Sequence, residues 1–441
     1  MSASEGARSA LRALVEVAYG LIGWLLIAPL AALVPKRRDW VAVIGRGDGK
    51  FLDNTKYFFM DAAVDARLAL RIVHVTERPD VLHVIRDAGF ESLQYPSLRA
   101  AWFLARCGNA VVDSIEWCER WRSFLLVRAR LIQLWHGVGF KRIEFDKWRN
   151  EAKGRRHVSA RWLLWPRLAR RYLRGRVPRY DAVVTTSAFY RDNVFSVAFR
   201  HRHVLTTGYP RNAFGKNQPH NPLTWTNVDP QAVAKLAKWR CDQRKLILVA
   251  PTFRDTRATP LGLDDGRLAQ LDAFCSENGY EFLFKLHPYE HGVNRIHGEH
   301  LHVLGSESDV YPLLPDIAAV VTDYSSIYMD YLLLDRPVYF LTPDLQDYLN
   351  RDRDIQFDFE RMTPGPKLSN WDALLDAIVE PEDAGRARQR ADLKTLAFGN
   401  EDQAMSTQRL LDFMQRQNWV RVPSIRTNSS SVSRVSKRSL P

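Results

Sequence analysis

Cysteine is scarce in this chain. There are four among 441 residues, Cys107, Cys118, Cys241 and Cys275. No two of them form a Cys-x-x-Cys pair, so neither a zinc finger nor a spaced disulfide framework is indicated. A reducing, cytosolic setting is expected for the main body, with the thiols serving as small buried apolar groups. Other signatures are also missing. There is no Gly-x-Ser-x-Gly and no His-Glu-x-x-His, which removes two common hydrolase designs. Gly45-Arg-Gly47-Asp-Gly49-Lys50 matches neither the dinucleotide fingerprint nor the phosphate-binding P-loop. Asp352-Arg-Asp354 is formally a DxD, a spacing too common to carry a metal site. No internal repeat is visible.

Charge of one sign is in excess. The formal net charge is +13, and much of the surplus lies between Arg142 and Arg179 and in the C-terminal tail. Such a balance suits nucleic acid, an anionic membrane surface or an acidic substrate, or it is simply a solvated face. No paired Cys/His finger and no zipper is present, so no nucleic-acid partner is expected. A membrane surface and a phosphate-rich substrate remain.

One long apolar run stands out. Val17 to Val34 holds 18 residues without a charge, preceded by Arg8 and Arg12 and followed by Pro35-Lys36-Arg37-Arg38. At about 1.5 Å per residue the run just spans a bilayer core. A helix lying in the interface fits equally well, and the basic flanks suit an anionic cytoplasmic leaflet. Pro29 is expected to kink it. A cleaved signal peptide and a buried core helix are the other readings.

After Arg38, short apolar runs alternate with amphipathic ones. Strands are expected at 40–44, 70–75, 110–113, 131–135 and 180–185, with helices at 54–66 and 79–88. The pattern pauses between about Asn212 and Gln243, a stretch read as a linker followed by a short helix. It then resumes with strands at 246–250, 281–286, 301–304, 317–322 and 338–341. This βα alternation argues for parallel sheets with helices on their faces, in two units with a cleft between them. Residues 421–441, rich in Ser, Arg and Lys, read as a disordered tail.

Four motifs sit at expected strand ends, where ligands bind in such sheets. The first is Gln133-Leu-Trp-His136-Gly137-Val-Gly139-Phe-Lys141. Its glycines allow close backbone approach, and His136 could serve as general base on an alcohol or simply hold the turn. The second, Ala250-Pro-Thr252-Phe-Arg254-Asp255, offers an arginine fork for phosphate or a surface pair with Asp255. The third, Phe284-Lys285-Leu-His287-Pro288, offers a second histidine, either for a pyrophosphate oxygen or for a turn held by Pro288. The fourth, Val320-Val-Thr-Asp323-Tyr-Ser325-Ser326-Ile, runs into a helix. Its hydroxyls and free N–H groups could hold phosphate or merely cap.

Together and in this order the motifs resemble the CDP-glycerol glycerophosphotransferase family, whose members build teichoic acids and related polyol-phosphate polymers. The likeness covers roughly residues 40–395. LWHGVGFKRI, APTFRD, FKLHP and VVTDYSSIYMDYLLLDRPVYF carry it, supported by FLDNTKYFF, TTSAFYRDNVFSVAF, TGYPRN and DFERMTPGP. The resemblance implies two Rossmann-like domains of the glycosyltransferase B kind facing a cleft. It implies direct attack of a terminal hydroxyl on the β-phosphate of a CDP donor, with no cofactor and no obligatory metal. On matching positions, His136 is the implied base and His287 the implied acid or electrostatic partner. Arg254, Thr252, Lys285, Ser325 and Ser326 are the implied phosphate ligands, oriented by Asp323. Gly137, Lys141 and Asn54 fall on the acceptor side. Ala213 stands in Pro210-Arg-Asn-Ala213 where the family usually has an acid, a departure that bears on the acceptor.

The expected organisation follows: a membrane-associated helix over 1–38, an acceptor domain over 39–215, a linker over 216–243, a donor domain over 244–400, a helix over 401–420 and the tail. The expected reaction takes glycerol phosphate from CDP-glycerol to a lipid-linked or polymeric acceptor such as a teichoic-acid-like, capsule or lipopolysaccharide glycan, at the cytoplasmic face of the inner membrane. The same chemistry with CDP-ribitol or a nucleotide-sugar donor is the alternative, and a non-catalytic scaffold of the same fold is a third.

Overall fold

The structure is a computed structural model that describes residues 14–65, 69–154, 168–214, 221–252, 262–286, 296–351 and 354–420. The expected tail at 421–441 lies outside the described residues, as do Arg254 and His287.

Two parallel sheets organise the chain. The first contains β1 (Arg37–Ile44), β2 (Arg71–Thr76), β3 (Ser92–Gln94), β4 (Cys107–Val112), β5 (Arg130–Gln133), β6 (Tyr180–Val184) and β7 (His201–Leu205). Their order across the sheet is β3-β2-β1-β4-β5-β6-β7. The second contains β8 (Lys245–Val249), β9 (Tyr280–Phe284), β10 (Leu301–Val303), β11 (Ile317–Thr322), β12 (Val338–Leu341) and β13 (Lys367–Leu368), in the order β10-β9-β8-β11-β12-β13. Strands such as Val41–Ile44 and Leu246–Val249 are unbroken apolar runs because helices cover both faces of a parallel sheet. Sequence reading missed β3, β7 and β13. Two are very short, and β7 is a half-buried edge whose residues, His-Arg-His-Val-Leu, carry little apolar signal.

Each sheet reverses its strand order once, between β1 and β4 and between β8 and β11. Crevices open at such switch points beyond the carboxyl ends of the strands. The first crevice is framed by the Gly45–Lys50 turn and Asp113. The second is framed by Ala250–Thr252 and Asp323.

Buried charge joins the two halves. Lys56, from the helix Asp53–Val64, reaches Asp309 of the second half at 2.7 Å, with side-chain exposures of 0% and 2%. Its ammonium also donates to the carbonyls of Thr224 and Thr226, and the Tyr57 hydroxyl donates to the same Asp309 carboxylate. On the other side, a β-bridge pairs Lys141 with Ile355, and Arg142 N–H donates to Asp354 O at 2.7 Å. The chain finally returns to the first half. The Thr407 hydroxyl, on the helix Ser406–Arg416, donates to Asp61, and Asn109 of β4 donates to Trp419 O.

The N-terminal run forms a helix over Leu14–Leu33, with a mean hydropathy of 1.9, the one helix among the described residues long and apolar enough to cross a membrane. A π-helical turn over Gly23–Ile27 precedes Pro29, with Ala28 N–H donating to Gly23 O, and the helix continues to Leu33. Such a turn takes up the backbone mismatch that a proline introduces. Cys107, Cys118 and Cys275 are buried as expected, whereas Cys241 is exposed at the end of the helix Pro230–Cys241.

Candidate active site

A cleft of about 470 Å³ runs between the halves. The first half lines it with Trp135–Lys141 and Ile143, the second with Ala250–Thr252, Lys285, Leu286, Ser306 and Tyr324–Ile327. His136, Gly137, Lys141, Thr252, Lys285, Ser325 and Ser326 therefore share one cavity, although up to 190 residues separate them in sequence.

The loop that carries His136 leaves β5 through an unusual backbone. Trp135 has φ +58°, a left-handed conformation that bulky side chains rarely adopt. Neighbours fix it there. Asn54 Nδ2 donates to Trp135 O at 2.8 Å, Trp135 N–H donates to the Gln133 side chain at 2.9 Å, and the indole packs on Phe199. The glycines then bring the loop against the other half. A methyl placed on Gly139 would lie 3.5 Å from Ser326 Cβ, and one on Gly137 would lie 3.8 Å from Ser326 Oγ. Gly137 also has φ +139°, which only glycine adopts freely.

His136 Nδ1 lies 3.2 Å from the carbonyl oxygen of Asp113. A carbonyl only accepts, so Nδ1 carries the hydrogen and Nε2 keeps its lone pair. Burial disfavours the imidazolium, and the nearby Arg46 guanidinium adds to this. The pKa falls to about 4, so the ring is neutral at physiological pH. Beneath it, burial and the neighbouring Asp53 carboxylate push Asp113 up to about 7. The Thr55 hydroxyl donates to Asp113 Oδ2. Asp53 moves the other way. Burial alone would raise it, but Arg211 and Arg46 outweigh burial and hold it below the usual carboxylate range.

Across the cleft, Asp323 Oδ1 accepts Thr252 N–H at 2.6 Å and also Tyr324 N–H at 2.5 Å. It thereby joins the ends of β8 and β11. Thr252 Oγ1 is buried with no hydrogen-bond partner among the described residues. Ser326 stands at the N-cap of the helix Ile327–Tyr331 and makes no side-chain capping bond, so its exposed hydroxyl is left to the cleft. Lys285 Nζ donates to Gly305 O at 2.8 Å and to Ser306 O, and burial draws its pKa down to about 8.

Asn54 does not line the cleft. It is fully buried, and its second polar end accepts Arg211 N–H, so it holds the histidine loop from behind. Lys141 does line it, with Nζ 4.9 Å from the centroid of the Tyr348 ring. Asp113, Asp53, Arg211 and Asp330 were missed as site residues by sequence reading. Only Asp113, the last residue of the strand expected at 110–113, carried a readable strand-end signal; the strand ends one residue earlier, at Val112. Among the described residues no group of three or more His, Cys, Asp or Glu could hold a metal ion.

Residues 26–415 match the model of the CDP-Glycerol:Poly(glycerophosphate) glycerophosphotransferase family. The chain belongs to this family. The transferase is 28% identical over 402 residues to a teichoic acid ribitol-phosphate primase of Bacillus spizizenii, covering 87% of this chain and 93% of the relative. It is 24% identical over 290 residues to a teichoic acid poly(glycerol phosphate) polymerase of the same species, covering 64% and 68%. The solved structure of the wall teichoic acid polymerase TagF superposes with a TM-score of 0.64 at 18% identity, covering 95% of this chain and 98% of that one. The two-sheet, glycosyltransferase-B-like architecture is thus shared across the length of the transferase. It is an enzyme of the phosphotransferase class, moving polyol phosphate from a CDP-linked donor to a growing polymer.

Proposed function

We propose that this transferase takes glycerol phosphate from CDP-glycerol, attaches it to a terminal hydroxyl of a membrane-linked acceptor and releases CMP. The observation that supports this best is the facing of His136 by Thr252, Lys285, Ser325 and Ser326 across one cavity. His136 Nε2 takes the proton of the acceptor hydroxyl. The oxygen attacks the phosphorus that bears glycerol, a new P–O bond forms, and the P–O bond to CMP breaks. The negative charge that collects on the leaving CMP is met by the Lys285 ammonium, the serine hydroxyls and Thr252, aligned by Asp323. By sequence, Arg254 and His287 join them from the loops after β8 and β9. The reading divides the chain into an acceptor half to residue 215, a linker over 216–243 and a donor half over 244–400.

CMP release from CDP-glycerol by purified protein, with membrane extract as acceptor, tests the reaction. His136→Ala is expected to abolish turnover with the thermal melt unchanged; retained turnover removes His136 as the base. CDP-ribitol belongs beside CDP-glycerol in the assay, because the relative matched over 93% of its own length is named a ribitol-phosphate primase. Release with CDP-ribitol alone keeps the mechanism and changes the polyol.

The membrane reading is supported by the helix Leu14–Leu33, which lies along the first half through small residues. Gly20, Gly23, Ala28 and Ala31 face inward. A methyl on Gly20 would lie 2.4 Å from Leu173, and one on Gly23 would lie 2.3 Å from the Phe124 ring. Contacts tie both ends to the same domain: Glu16 pairs with Arg174, Trp24 donates to Leu173 O, and Arg128 donates to Ala32 O. The outer face is apolar, with Leu25 73% exposed and Leu33 79%. Leu98 and Trp102 of the helix Leu98–Arg106 are likewise exposed, and Arg38, Arg99 and Arg128 are exposed cations suited to anionic headgroups. The helix then lies in the cytoplasmic leaflet without crossing it. Single cysteines at Leu14 and Lys36, in a Cys241→Ser background, are both expected to be labelled from the cytoplasmic side of sealed vesicles. Labelling from opposite sides means a span.

A further inference from the structure

Behind the His136 loop sits a buried arginine to which neither the motifs nor the reaction scheme assigns a task. Arg211 lies on the short 3₁₀ turn Pro210–Ala213, with its side chain 5% exposed. Its guanidinium is shared between the halves. Nη1 donates to the Asp53 carboxylate and, at 3.0 Å, to the carbonyl oxygen of His136 itself. Nη2 donates at 2.6 Å to Asp330, on the helix that follows the Ser325–Ser326 pair. The Tyr311 hydroxyl donates to the same Asp330 oxygen, and the Tyr311 ring lies 4.9 Å from the guanidinium carbon. Arg211 N–H completes the set by donating to Asn54, whose other end holds Trp135 O. Two consecutive carbonyls of the strained loop, at 135 and 136, are thus held by Asn54 and Arg211 acting as a pair. A methyl on Gly137 would come within 2.9 Å of Nη2, so the loop is moulded on the guanidinium.

A charge pair this deep is poorly explained by stability alone, because desolvation offsets most of its attraction. Its geometry has a more specific consequence. A planar fork fixes direction as well as distance. Here one fork sets the loop bearing the candidate base relative to the helix that follows the phosphate-side serines. We propose that Arg211 is a positioning residue: through Asp330 it holds the His136 loop in register with the donor half, so that base and phosphate site are aligned as one unit.

The inference rests on His136 being the base, and the test separates the two. Five proteins are compared for kcat, donor KM, the pH dependence of kcat/KM and melting temperature: the parent, His136→Ala, Arg211→Lys, Arg211→Met and Asp330→Asn. Asp330 lies outside the cleft lining, so its replacement removes no side chain from the donor site. In Asp330→Asn and Arg211→Lys, kcat is expected to fall by about 100-fold, the scale of a misplaced reacting group, with donor KM within about 3-fold of the parent. The charged groups facing His136 are Arg46, Asp53, Asp113 and Arg211. Arg211→Met, which removes a cation, is expected to raise the acid limb of the pH profile. Arg211→Lys is expected to return the limb to its place without restoring kcat, a split that loosened packing would not produce. If Asp330→Asn unfolds at the assay temperature, Arg211→Lys carries the comparison. The inference is overturned if a folded Asp330→Asn or Arg211→Lys keeps kcat within about twofold of the parent, whatever its melting temperature. Turnover by His136→Ala would instead overturn the base assignment.

Discussion

The pH profile of the free enzyme is the sharpest consequence of the cleft. His136 must be neutral to take a proton, and Lys285 must be charged to meet phosphate. Burial and Arg46 bring the imidazole from its ordinary 6.5 to about 4. That depression sets a few kcal/mol against the imidazolium. At pH 6.5, where a free imidazole is half protonated, only about 0.3% of His136 carries the extra proton. Burial brings Lys285 to about 8, with Asp309, Glu307 and Asp229 opposing the fall and Lys50 assisting it. A plot of kcat/KM for CMP release against pH is therefore expected to have an acid limb near 4 and an alkaline limb near 8, with the Asp113 carboxyl beneath His136 titrating between them at about 7. The donor's pyrophosphate stays ionised throughout, but its cytosine N3 takes up a proton in the range of the acid limb, so His136 is assigned by the part of that limb that a change at the enzyme moves. Two variants assign the limbs. Arg46→Ala removes the second cause of the depressed imidazole and moves the acid limb up toward 6.5. Lys285→Arg keeps a cation that does not titrate and abolishes the alkaline limb. Far-UV circular dichroism that is unchanged across both limbs excludes unfolding as their origin, and rates recovered on return to pH 7 exclude irreversible loss. An acid limb at 6.5 or above in the parent, or an alkaline limb that survives Lys285→Arg, refutes the reasoning.

Three further outcomes are expected. Lys56→Met strands the Asp309 carboxylate in the interface and is expected to cost about 3–5 kcal/mol in denaturant unfolding, most of it recovered by adding Asp309→Leu. His74 is enclosed by Phe51 and Phe59, with both ring nitrogens unpartnered among the described residues and burial lowering its pKa to about 3. Below pH 6.5 the unfolded chain takes up a proton that native His74 refuses. Stability is therefore lost as pH falls from 6.5 toward 3, by up to about 5 kcal/mol, and His74→Leu should flatten that slope in acid melts. Gly23→Leu drives a side chain into the Phe124 ring and is expected to unseat the N-terminal helix, seen as new proteolytic cleavage within 14–33 while donor binding is retained.

The donor side of the site was largely legible from sequence, because its parts follow buried strands. A parallel strand covered on both faces is an unbroken run of Val, Leu and Ile, and the polar residue that ends it is conspicuous. Asp323 after β11 was found this way, and the motifs that hold Thr252 and Lys285 were placed at the ends of β8 and β9. The groups behind the cleft were not legible. Arg211 meets Asp53 from 158 positions away and Asp330 from 119, and Lys56 meets Asp309 across 253. In a linear reading each is one more charge among many, indistinguishable from a solvated side chain. Asn54 shows the converse error. Its place in a quoted segment pointed to the acceptor, while its burial makes it a brace for Trp135. The N-terminal run announced its hydrophobicity, but its seat against Phe124 and Leu173 depends on which face carries the glycines. That became apparent only once the partner surface was known.

The two bridges across the molecule also bear on how such enzymes can be recombined. An attempt to change the transferred polyol by grafting a different donor half would cut the chain within 216–243 and join two foreign surfaces. The graft would have to bring an acid to the place of Asp309, to receive Lys56, and another to the place of Asp330, to receive Arg211. A chimera lacking the first would bury a lone ammonium at its seam. One lacking only the second could fold and bind nucleotide yet turn over poorly. Compatibility at these two points, with the Lys141–Ile355 bridge and the return of Thr407 to Asp61, sets which combinations work.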